Sequence, residues 1–254
     1  MSDPQLLDVL ERYYDTVPRA VADAETVGPF TLFVAREGWP YYARPRLGGA
    51  TTFAAADVRA VLGRQRELGV PRHLEWVHET TPTLLPAARE VGLPVDECDL
   101  MVLDGTVPRP SIDGLTVRML DPTDPGFAAV RSAVDAGFSG RDVLRPEAVA
   151  ETIATRVKEG LMRVAGAFDA TGQAVGGGSH ALRDGVTELT GIAVLPSWRQ
   201  RGIGAALTAV LADDARLQGA KIVFLSAASE SVARVYGRVG FVRVGTACIA
   251  EHHE

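Results

Sequence analysis

Cysteine is scarce in this 254-residue chain: Cys98 and Cys248 are the only two. Two thiols build neither a disulfide framework nor a four-cysteine metal site, and both stand in apolar, strand-like runs, which predicts buried structural thiols. Long apolar runs are missing as well. Stretches such as Ile192-Ala193-Val194-Leu195 fall far short of the roughly 18 residues that suggest a membrane span, so no membrane association is expected. The opening Met1-Ser2-Asp3-Pro4-Gln5 has neither the basic region nor the apolar stretch of a signal peptide, and a cytoplasmic location is expected. Positive charge is not in excess either. The 26 Lys and Arg stand against 32 Asp and Glu, for a net charge of −6. General nucleic-acid binding needs clustered basic residues to neutralise phosphates, so no nucleic-acid partner is expected. The adjacent His252 and His253 lack the i, i+4 spacing of a helical zinc pair, and no metal is expected.

What is present is a chain with 46% apolar and 23% charged residues, the balance of a globular protein able to bury a core. Turn formers and prolines interrupt the apolar pattern at Asp104-Gly105-Thr106-Val107-Pro108-Arg109-Pro110-Ser111. This predicts a first domain over residues 1–104, a linker over 105–112 and a second domain over 113–254. The second half reads as a mixed α/β (α+β) domain. Strands are expected at 115–120, 161–168, 173–182, 186–194, 221–226 and 241–250, with helices at 127–137, 146–158, 202–217 and 230–239. Gly176-Gly177-Gly178 should weaken or bulge its strand.

The segment Leu195-Pro196-Ser197-Trp198-Arg199-Gln200-Arg201-Gly202-Ile203-Gly204-Ala205 joins an apolar strand to an amphipathic helix. Gly202 and Gly204 remove side chains where backbone N–H groups would meet a ligand. The helix start offers unpaired N–H groups and the positive end of its dipole, an anion site suited to a diphosphate. Arg199 and Arg201 add charge nearby. The pattern is not a P-loop, since Ala205 follows Gly204 where Lys is required. It is not a dinucleotide fingerprint either, because Leu207 stands where a third small residue is needed.

Arg199-Gln200-Arg201-Gly202-Ile203-Gly204 resembles the Gln/Arg-x-x-Gly-x-Gly/Ala signature of the GCN5-related N-acetyltransferase (GNAT) superfamily. Tyr236-Gly237-Arg238-Val239-Gly240-Phe241 resembles that family's Leu-Tyr-x-x-x-Gly-Phe element, and the likeness covers about residues 115–250. The resemblance implies the GNAT fold and acetyl-CoA as cosubstrate. It implies an amine of a small molecule or peptide as acceptor, and transfer by direct attack. Backbone groups of Ile192, Ala193 and Val194 would hold the pantetheine arm and polarise the acetyl carbonyl. Arg199, Gln200, Arg201, Gly202, Ile203, Gly204 and Ala205 would hold the diphosphate. Tyr236 would serve as general acid to the leaving thiolate, and Ser229 stands where members often carry a cofactor-contacting Asn. Glu188, early in its strand, is the candidate base. It lies four residues before Ile192, so plain alternation puts both on one face, about 13 Å apart, which suggests a base acting through water. His180 on the neighbouring strand is the competing base.

The end of the first half echoes the second: strand 73–78, helix 82–91, Gly92-Leu93 and strand 100–103 mirror strand, helix, Gly240-Phe241 and strand. A degenerate GNAT-like copy follows. It has no glycine loop, Arg44-Pro45-Arg46-Leu47-Gly48-Gly49 does not fit one, and Ala88 stands where Tyr236 does. It is expected to be non-catalytic. Trp39-Pro40-Tyr41-Tyr42 and Trp76 are its aromatic clusters, suited to core packing or to walling an acceptor site. A monomer or homodimer is expected. The rival to an enzyme is a non-catalytic acyl-CoA sensor or interaction protein on the same fold; a transferase for longer acyl groups depends on pocket depth.

Overall fold

A computed structural model describes residues 3–37, 41–49, 52–108, 110–146 and 151–251. Trp39, Pro40, Arg109, residues 147–150 of the expected helix, and His252 and His253 lie outside them. The chain divides into two compact units that do not follow chain order. The first holds residues 1–101, 226–233 and 243–254, and the second holds 102–225 and 234–242.

In the second half of the chain the alternating and helical patterns become the expected elements in the expected order. They run β6 (Thr116–Leu120), α4 (Phe127–Phe138), α5 (Glu151–Lys158), β7 (Arg163–Phe168), β8 (Ala174–His180), β9 (Val186–Val194), α6 (Ile203–Leu217), β10 (Ile222–Ala227), α7 (Glu230–Arg238) and the start of β11 (Phe241–Glu251). The strands lie in the order β10-β9-β8-β7-β6. All pairs are antiparallel except β9–β10, joined in parallel through Val186–Glu188 and Ile222–Phe224. The glycines of β8 let a helix close on each face. A Cβ on Gly177 would meet Val130 and Val134 of α4, and one on Gly178 would meet Leu211 of α6. The strand runs through them, and the expected irregularity is present as register shifts beside them, against β7 at Ala167/Phe168 and against β9 at Gly177/Ser179.

The first unit contains α1 (Pro4–Arg19), β1 (Ala22–Val27), β2 (Phe30–Ala35), β3 (Ala43–Pro45), α2 (Ala55–Glu67), β4 (His73–Val77), α3 (Leu84–Glu90) and β5 (Asp96–Leu103). Its strand order is β1-β2-β3-β4-β11-β5, so the C-terminal strand pairs antiparallel with β4, Cys248 opposite Trp76. Val58 and Val61 of α2, Leu84 and Ala88 of α3, and Leu74, Trp76, Cys248 and Ala250 share one core. Burial leads the influences that push the Cys98 thiol up to about 11 and the Cys248 thiol to about 12, so both stay protonated. The β4-α3-β5 and β10-α7-β11 segments repeat the same order, and each helix is followed by a glycine in the left-handed region, Gly92 and Gly240.

Candidate active site

The site begins with an irregularity in β9. Its register against β8 runs Gly176↔Val194 and Gly177↔Ala193, then slips so that Ser179 faces Thr190 and His180 faces Leu189. The extra residue is accommodated at Gly191, whose φ of +61° is open to glycine at little cost. The bulge reverses the alternation expected from sequence. Thr187 Oγ1 lies 3.3 Å from His180 Nδ1, and His180 Nε2 lies 2.9 Å from Asp214 Oδ2 on α6. Gly178 shares that face of β8, and its missing Cβ would sit 2.9 Å from Ile192 Cγ1. Thr187 and Ile192 therefore both face α6. Glu188 faces the other side, where α4 lies and where Ser179 meets Thr190. The expectation that Glu188 and Ile192 share a face is corrected: the inserted residue shifts the period-2 count by one.

This does not separate Glu188 from the backbone it was expected to serve. Strand N–H and C=O groups lie in the sheet, so a carbonyl held at the β9 edge is open to attack from either face. Among the described residues β9 pairs with β10 only up to Glu188, while β9 itself continues to Val194. The Leu195 N–H donates to Val175 on β8 at 2.9 Å. By alternation the Val194 backbone groups face the opposite edge, and there Arg199 Nε donates to the Val194 carbonyl at 3.2 Å.

Arg199 is thus employed within the protein. Its Nη2 also donates to the Gly137 carbonyl at the end of α4, at 2.7 Å, which ties the strand exit to that helix. Arg201 lies over the Trp198 ring, 4.7 Å from its centroid, and donates to the Ser197 carbonyl at 3.2 Å. A short 3-10 turn at Pro196–Trp198 is held by Asp142, which accepts from the Ser197 N–H at 3.0 Å and hydroxyl at 2.8 Å. The chain then reaches α6 through two left-handed residues, Gln200 (φ +62°) and Gly202 (φ +81°). Gly202 is the N-cap and supplies no side-chain bond, so no side chain caps the first turn of this 15-residue helix. A Cβ on Gly204 would meet nothing within 4 Å. The first turn of α6 is therefore open to an approaching anion, and the residues present fit a diphosphate.

Tyr236 on α7 is half-buried, with its ring 5.8 Å from that of Phe241. Burial pushes its phenol up to about 12, a larger perturbation than the residue type by itself suggests. Ser229 accepts from the Val232 N–H at 3.4 Å and shares a hydrogen bond with Ser231 at 2.9 Å, the geometry of a helix cap. His180 is fully buried. Burial lowers its pKa and the Asp214 carboxylate opposes that shift without overcoming it, while Asp214 also binds Arg163. Both ring nitrogens are engaged within the protein, by Asp214 and Thr187. Arg131, on α4, was not singled out from sequence. It is half-buried with Nε unpartnered, and burial lowers its pKa. A mid-helix arginine among apolar residues is its only trace in the sequence. Among the described residues no cluster of three or more His, Cys, Asp or Glu could hold a metal. No helix of those residues is long and apolar enough to cross a membrane.

The described elements form a mixed sheet with a parallel central pair, a bulged strand and an uncapped glycine-led helix start. Residues 140–241 match the model of the Acetyltransferase (GNAT) family. No curated protein matches the chain. Among solved structures it is similar to a GCN5-related N-acetyltransferase from Kribbella flavida, with a TM-score of 0.72 at 19% identity over 98% of this chain and 96% of that one. A protein from Novosphingobium aromaticivorans, described as an acetyltransferase of the GNAT family, gives 0.60 at 14% identity over 99% and 100%. A tandem GNAT protein from the clavulanic acid biosynthesis pathway gives 0.57 at 15% identity over 99% and 97%. At these identities the likeness is one of fold.

Proposed function

We propose that this protein is an N-acetyltransferase that moves the acetyl group of acetyl-CoA to a primary amine of a small molecule or peptide by direct attack. The observation that carries the reading is the continuous run from the bulged β9 into the open first turn of α6. It sets a strand edge for the pantetheine arm directly before an anion site for the diphosphate. The N–H groups of Ile203, Gly204 and Ala205 bind phosphate oxygens. Arg199 keeps the strand exit in place, and Arg201 stands exposed beside the loop with Gln200.

In the transfer, the amine nitrogen bonds to the acetyl carbon and the carbon–sulfur bond breaks. Backbone N–H groups among Ile192, Ala193 and Val194 stabilise charge developing on the carbonyl oxygen. Glu188 takes the amine proton, directly or through a water, from the α4 side of the sheet. Tyr236 donates a hydrogen bond to the departing sulfur. With its phenol near 12 and a model thiol near 8.5, it stabilises the thiolate without giving up its own proton. Residues 1–104 are a degenerate, non-catalytic GNAT-like domain joined through 105–112 to the transferase domain at 113–254, whose segments 226–233 and 243–254 fold within the first compact unit. Ala88, buried in α3, stands in the place of Tyr236 and has no acid to offer. We further propose a cytoplasmic protein with Ser229 at the cofactor's edge.

The test is thermal denaturation with acetyl-CoA, followed by thiol release across a panel of amines. A rise in melting temperature with thiol release on at least one amine supports the enzyme. A rise with no turnover on a broad panel favours an acyl-CoA sensor, and no rise at saturating acetyl-CoA removes both.

A further inference from the structure

The first unit contains an open cavity of about 500 Å³ beside α2 that acyl transfer leaves unused. Arg59, Gly63 and Arg66 fall four and then three residues apart, so they form one stripe along the helix. The two arginines are about 10 Å apart along its axis. Arg72, between α2 and β4, and Glu90 at the end of α3 complete the polar rim.

These arginines differ from their neighbours. Arg19, Arg36, Arg64, Arg89 and Arg243 in the same unit each bind a carboxylate. Among the described residues Arg59 and Arg66 make no ion pair, and neither does Glu90 in the same groove. The Arg59 and Arg66 side chains are exposed beside the groove and not closed onto a carboxylate. Gly63 points the same way. It sits inside α2 with φ outside the left-handed range, and a Cβ there would meet nothing within 4 Å. Neither backbone nor packing requires glycine, and glycine inside a helix destabilises it relative to alanine. Its effect is to deepen the floor between the two arginines. Leu62 and Val91 add an apolar wall.

We infer that this groove is a binding site for a small organic polyanion carrying two or more carboxylate or phosphate groups. Guanidinium forks pair with both oxyanion types in two-point geometry. The volume lies in the small-molecule range, and the apolar wall suits an organic body. Arg59 and Arg66, with Arg72 at the rim, outweigh the single Glu90 carboxylate on a chain of net charge −6, and this sets the sign of the ligand.

The experiment is isothermal titration of the full chain with citrate and, separately, inorganic triphosphate, at about 0.15 M salt to screen loose surface charge. At least one probe should bind saturably. Gly63→Leu fills the floor with a good helix former and keeps every charge, while the Arg59→Gln/Arg66→Gln double variant removes two donors and keeps the shape. Each should weaken binding by about tenfold or more; the melting temperature should not fall in either variant, and should rise in Gly63→Leu through helix propensity, while its further rise with acetyl-CoA stays unchanged. Citrate binding alone identifies a carboxylate ligand, and triphosphate alone a phosphorylated one. If neither probe saturates, or if binding survives either variant because the probe sits on the α6 loop, the inference is overturned.

Discussion

Thr187 and Ile192 both face α6 from strand β9, although they stand an odd number of residues apart. The residue that makes this possible is Gly191, and it also decides which way Glu188 points.

Gly191→Val should therefore destabilise the protein by about 1–2 kcal/mol, the cost of a left-handed residue with a side chain, and abolish the melting-temperature rise with acetyl-CoA. Gly191→Asn should keep most of both. Asn tolerates this conformation, and the new Cβ would make only ordinary contacts, 3.7 Å from Ser179 Oγ. Denaturant titration of the two variants checks this, and equal behaviour would show that the bulge is not required.

Gly204→Leu separates folding from binding. The Cβ meets open space in the first turn of α6, so helix propensity should raise stability by up to about 0.8 kcal/mol. Acetyl-CoA should nevertheless bind about tenfold or more weakly, because the side chain occupies the approach to the N–H groups. Unchanged acetyl-CoA affinity would place the diphosphate elsewhere.

Tyr236→Phe should lower kcat by about tenfold or more, as removal of one transition-state donor does, with little change in acetyl-CoA affinity. With the phenol near 12, the wild-type rate should show no loss from tyrosine ionisation below about pH 10. A variant that loses cofactor affinity and keeps kcat would remove Tyr236 from the leaving-group role.

His180 and His73 should impose opposite pH dependences on stability. Burial leaves His180 below its ordinary 6.5 despite Asp214. The unfolded chain then binds more protons, so its contribution is complete above 6.5 and declines as the pH falls below that value. Burial also depresses His73, but the Glu75 hydrogen bond and the Glu75 and Glu251 charges outweigh it and raise the pKa. Its contribution is complete below 6.5 and is lost as the pH rises through the folded value. Relative to wild type, His180→Gln should lose its deficit toward about pH 5, and His73→Gln toward about pH 8. Denaturant midpoints across that range check the signs. A fall in kcat for His180→Gln at unchanged stability would return the base role to His180.

The sequence was most legible where the physics is local. The strand Val186–Val194 stops two residues before Pro196, which opens the following turn; Gly240 closes α7; and the helix after Gly202 begins where its glycines permit. Cys98 and Cys248 read correctly as buried because apolar alternation already implies burial. The roles of Arg199 and His180 were harder to see. Arg199 binds the Gly137 carbonyl 62 positions away, and His180 binds Asp214 34 positions away, so no local pattern announces either contact. No local pattern singles out Gly63 and Arg59; their groove exists only because the end of α3 lines it as well.

By itself, the sequence determined the order of elements, the glycine-led loop and the family those features resemble, because turn chemistry and side-chain periodicity act over a few residues. Tertiary structure alone decided the face of Glu188, the pairing of β11 with β4 and the burial that lifts Tyr236. A bulge is a mismatch between two strands, a strand's partner is chosen by distant chain, and a pKa depends on everything packed around the group. None of these is a property of the segment in which the residue lies.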